Sequence, residues 1–81
     1  MALIFDRFAT AKAAAGFVAE VKEKYGRDSR LYTNKEEAAD ADFFPYQLEG
    51  AAVVLVDRET YDNEEEIIVL GRAHGGQFAG T

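Results

Sequence analysis

Six aliphatic residues in a row, Ala51–Val56 (AAVVLV), form the longest such run in the chain. The run falls far short of the ~20 residues that a membrane-spanning helix needs, and it is apolar at odd and even positions alike, so it reads as a strand buried on both faces in the middle of a sheet. The rest of the chain must supply its cover. With 81 residues that cover is limited: a chain of this length closes one core and buries roughly 60 to 65% of its unfolded surface, which predicts a single domain over residues 1–81. There is no cysteine, so neither disulfides nor thiolate metal sites reinforce the core, and a reducing, cytoplasmic setting is the expectation. The N-terminal MALIFDRFA has no basic region ahead of its apolar residues and does not read as a secretory signal.

The remaining elements follow from periodicity. Ala2–Phe8 alternates, with Leu3, Phe5 and Arg7 pointing one way and Ile4, Asp6 and Phe8 the other, and reads as a first strand. Thr10 is a good N-cap for a helix whose buried stripe is Ala14, Phe17, Val18, Val21 and Tyr25 and whose stop is Gly26. Ser29–Thr33 fits a short edge strand, and Asn34 with Glu37 three positions on predicts one or two helical turns through NKEEAADAD. Pro45 keeps Phe44 out of a helical conformation, so residues 42–50 are expected to connect the elements as an extended or looped segment, with Phe43, Phe44 and Tyr46 either covering one end of the core or forming a contact surface. After the apolar strand, Asp62 or Asn63 caps a second main helix carrying Ile67, Ile68, Gly71 and His74 on its inner face. Gly75 and Gly76 end it, and QFAGT makes a last short strand with Phe78 inward. The order predicts an α+β fold: a ferredoxin-like βαββαβ sandwich, with a four-stranded antiparallel sheet, two helices on one face, and the first and third strands in the middle.

Charge is distributed unevenly. Residues 1–35 hold seven bases and four acids, a balance of +3, whereas residues 36–81 hold two bases and eleven acids, a balance of -9. The densest stretch is DRETYDNEEE, Asp57–Glu66, directly after the apolar strand. Some of that charge serves the helix that follows, since acids in a first turn are favoured by the positive end of the helix dipole. The excess predicts an interaction surface, because carboxylates on a rigid domain offer a basic partner what it normally takes from phosphates. The residues expected to carry it are Asp40, Asp42, Asp57, Glu59, Asp62, Glu64, Glu65 and Glu66.

Catalytic chemistry finds little support in these residues. There is one serine, Ser29, and one histidine, His74, and nothing around Ser29 resembles a nucleophile elbow. His74, in RAHGG at the end of a helix, is expected to bond that helix's final carbonyls. The glycines that follow it are not a phosphate cradle, which would precede a helix. Asp57, Glu59, Asp62 and Glu64 offer oxygen ligands to a hard cation, but their spacing is not that of an EF-hand. No cofactor, no metal and no enzymatic activity are therefore expected, and neither is direct nucleic-acid binding, since the RNP signature is missing and the chain is acidic.

FFPYQLEGAAVVLVDR and the terminal GGQFAGT resemble small acidic proteins of phages and prophages, a group in which chains of this size resemble anti-defence inhibitors, including anti-CRISPR proteins that bind an effector complex and block its DNA site. What the resemblance implies is a protein-binding inhibitor; it assigns no role to any residue. The two expectations are thus a cytoplasmic inhibitor that binds a basic protein surface as a nucleic-acid mimic, and a small-ligand or regulatory module of the same fold acting as a homodimer through a sheet edge or face. Neither involves a membrane.

Overall fold

The structure, a computed structural model, describes residues 2–32, 51–56 and 63–80. The turns expected in NKEEAADAD, the connection over residues 42–50 and the aromatic trio Phe43, Phe44 and Tyr46 lie outside the described residues. Within them the chain is α+β, running β1 (Ala2–Phe8), α1 (Ala11–Tyr25), β2 (Ser29–Tyr32), β3 (Ala51–Val56), α2 (Glu64–Ala73) and β4 (Gln77–Gly80). The strands lie in the order β2-β3-β1-β4, with every neighbouring pair antiparallel. The two most apolar segments, β1 and β3, are the inner ones.

Both helices cover the same face of β1. The fully buried ring of Phe5 meets Phe17 of α1 edge-on, with centroids 4.9 Å apart, and a Cβ at Gly71 of α2 would stand 2.8 Å from that same ring. Around these residues Leu3, Phe8, Ala14, Val21, Ala51 and Ile67 complete one buried cluster, with Val18, Tyr25, Leu31, Ile68, Leu70 and Phe78 packed on its margin. Ile4 and Asp6 are also buried, outside that cluster.

Local chemistry sets the helix ends. The Thr10 hydroxyl accepts from the Ala13 N–H at 3.0 Å, and Gly26, at φ 65°, closes α1 in the left-handed conformation that glycine adopts without a Cβ penalty. At the far end of α2, Gly76 N–H donates to Gly71 O and Gly75 N–H to Arg72 O, each at 2.9 Å. These are the two bonds of a Schellman motif, and the φ of 87° at Gly75 is what allows them. Asn63 occupies the N-cap position of α2, yet its side chain makes no capping bond, and its buried Oδ1 accepts no hydrogen bond among the described residues.

One expectation about β1 is corrected. Strict alternation puts Phe8 on the face opposite Phe5, but the ladder to β3 slips by one residue between them: Phe5 pairs with Val53 and Phe8 with Ala51. Arg7 takes a φ of 61° at this bulge. The extra residue turns Phe8 back to the helix side, where its ring stacks on Phe17 with centroids 5.7 Å apart. A left-handed arginine costs about 1–2 kcal/mol, an amount offset by the ~1.5–3 kcal/mol that burying a phenylalanine contributes.

Candidate functional site

Of the acids expected to form an interaction surface, the described residues include Glu64, Glu65 and Glu66, all in the first turn of α2. Asp40, Asp42, Asp57, Glu59 and Asp62 lie outside the described residues. The burial of Ile67 and Gly71 fixes which way α2 faces, and this leaves Glu65 and Glu66 exposed, with Glu64 half-buried. Neither Glu65 nor Glu66 forms an ion pair among the described residues. Among the described residues, their negative charge is offset by the helix N-terminus alone.

Beside them lies a groove of about 460 Å³ where the end of α1 meets α2. Lys24 and Tyr25 form its α1 wall, and Glu65, Glu66, Val69, Leu70 and Ala73 its α2 wall. Val69, 64% exposed, is the one large apolar side chain left in water among the described residues. The groove thus has a carboxylate end and an apolar middle. Lys24 does not neutralise the carboxylates: its ammonium is held 3.1 Å from Glu20, one turn back on its own helix.

Glu20 also joins the two helices. The His74 Nε2 donates to Glu20 Oε2 at 2.6 Å, part-buried, while the ring stands 6.0 Å from that of Phe17 and against Gly16, where a Cβ would lie 3.4 Å away. His74 does stand at the C-cap of α2, where its backbone N–H donates to Leu70 O at 3.2 Å; the expectation is corrected for the side chain, which reaches across to α1 instead of bonding the last carbonyls of its own helix. The His74 hydrogen bond first, and then that from Lys24, hold the Glu20 carboxyl below its ordinary value of 4.5. Because that value is depressed in the folded state, the contribution of Glu20 is present above the unfolded value and is lost as pH falls through the folded one. Urea midpoints of the wild type and Glu20→Gln should therefore differ at pH 6 and converge in the acid range. A gap that stayed constant with pH would show that the carboxylate is not the group that matters.

No three acids or histidines cluster at metal-binding distance among the described residues, and no helix among them is long and apolar enough to cross a membrane. Comparison with protein-family models, with curated proteins and with solved structures finds no match to this chain.

Proposed function

We propose that this protein is a non-enzymatic, cytoplasmic binding domain on a ferredoxin-like fold that engages a basic protein surface through its carboxylates, as a nucleic-acid mimic of the anti-CRISPR type that blocks a host defence complex. The strand order β2-β3-β1-β4 and the helices sharing one face support the fold. The observation that carries the function is the exposure of Glu65 and Glu66 without cationic partners among the described residues, in a half of the chain whose balance is -9. Proteins with unpaired surface charge of one sign steer and hold partners of the other.

The test is capture from host lysate with the tagged domain, washed at low and high salt. A partner held by mimicry is a basic nucleic-acid-binding protein that leaves as the Debye length shrinks from about 10 Å at 0.1 M towards about 3 Å at 1 M. Converting Glu64, Glu65 and Glu66 together to lysine should weaken that binding by roughly tenfold or more while circular dichroism stays helical and stranded. Undiminished binding by the triple variant would remove these residues from the surface. The groove favours a second reading, a small-ligand or regulatory module, since its volume lies in the range of ligand sites. A ligand held on Val69 and Leu70 would be insensitive to salt.

A further inference from the structure

The exposed face of α2 has a pattern that the acidic surface does not account for. Val69 stands at its centre, Glu65 and Glu66 precede it by one turn, and Arg72 and Ala73 follow it by one turn. Like the two glutamates, Arg72 has no ion pair among the described residues. At about 100° and 1.5 Å per residue, Glu65 and Arg72 lie on the same side of Val69, about 6 Å before it and about 4.5 Å beyond it. A two-fold axis through Val69 exchanges the ends of the helix. It therefore brings Arg72 of one copy to within about 1.5 Å, along the helix axis, of the level of Glu65 in the other, on the same side of the contact, and does so twice.

We propose that the occupant of this face is a second copy of the chain, docked antiparallel α2 against α2, with Val69 on Val69 at the centre and two reciprocal Arg72–Glu65 ion pairs. Charge complementarity selects this occupant. The face carries the anion and the cation on opposite sides of its exposed large apolar side chain, at axial distances that differ by only about 1.5 Å, and the small Ala73 at its end lets the second helix approach. A second copy matches Arg72 as well as Glu65, whereas a basic partner matches the carboxylates alone. The dimer engages Glu65, one of the three α2 acids, so it competes with a basic partner for that residue, and its own test, self-association of the purified chain, is separate from capture of a partner.

One ten-residue helix presents a face about 15 Å long, which places the contact among small, transient interfaces with a dissociation constant on the order of 10–100 µM. Sedimentation velocity of the purified chain from about 10 µM to 1 mM should show a reversible monomer–dimer equilibrium spanning that constant. Arg72→Glu and Val69→Glu, both at exposed positions, should each weaken association about tenfold or more, and Arg72→Glu combined with Glu65→Arg should restore it to within about threefold of wild type. A chain that remains monomeric at the highest concentration overturns the proposal. So does a dimer that Arg72→Glu leaves unchanged, or one that the charge swap fails to restore, since either would place the contact elsewhere.

Discussion

Replacing Phe17 by alanine should lower the unfolding free energy by about 3–5 kcal/mol, the range found for removing a fully enclosed aromatic ring. Phe17 is fully buried and is the side chain on which three others converge: Phe5 edge-on at 4.9 Å, Phe8 stacked at 5.7 Å and His74 tilted at 6.0 Å. Its removal takes away the surface that joins β1 to α1 and the backing of the His74–Glu20 link to α2. A domain of 81 residues is stable by about 4–12 kcal/mol in all, so the loss is a large fraction of the total. Thermal melts should show Tm falling by roughly 15–30 °C, whereas Lys12→Ala, on the exposed face of α1, should change stability by no more than about 0.5 kcal/mol. If the two variants melted together, the ring would not be the centre of the core.

Gly71→Ala and Gly16→Ala should move stability in opposite directions, although both exchange a helical glycine for the best helix former. Helix propensity alone gives each substitution a gain of about 1 kcal/mol. At Gly16 a Cβ meets His74 Nδ1 at 3.4 Å, an ordinary van der Waals contact, so most of that gain should appear. At Gly71 the new Cβ would stand 2.8 Å from two atoms of the Phe5 ring, which is fully buried and held by Phe17 and Phe78. The ring or the helix must shift, and overpacking of this kind costs about 1–3 kcal/mol, more than the propensity term returns. Urea titrations of the two variants should therefore lie on either side of the wild-type curve. A stabilised Gly71→Ala would mean that α2 rides higher over β1 than the glycine contact implies.

These two glycines also illustrate what sequence discloses. Thr10 and Gly26 bounding α1, and Gly75 and Gly76 ending α2, are legible because capping depends on residues within a turn of each other. The apolar character of β1 and β3 is legible for the same reason, since a strand's exposure is written in its own alternation. Phe8 was not legible, because its direction depends on an extra residue in a ladder whose other rail is β3, far along the chain. The side chain of His74 reads from sequence as a cap of its own helix, because its actual partner, Glu20, is 54 positions away and only packing brings the two together. The acids at the start of α2 are where the sequence reading put them. The place of Val69 and Arg72 relative to Glu65 becomes evident only once the buried side of α2 is fixed by Ile67 and Gly71.

The strand order has a consequence for how the chain acquires its structure. Of the described elements β1 is made before the others, but its two sheet neighbours are β3, which begins at residue 51, and β4, which begins at residue 77. Until those segments are made, the strand carrying Leu3, Phe5 and Phe8 lacks both of these sheet partners, and α1 is the described element available to cover it. Pairings that close such long loops are slow, and unpaired apolar edges invite association in the interval. Expression yield should thus depend on the rate at which the second half is translated, and shortening β4 should deprive β1 of its partner on that edge.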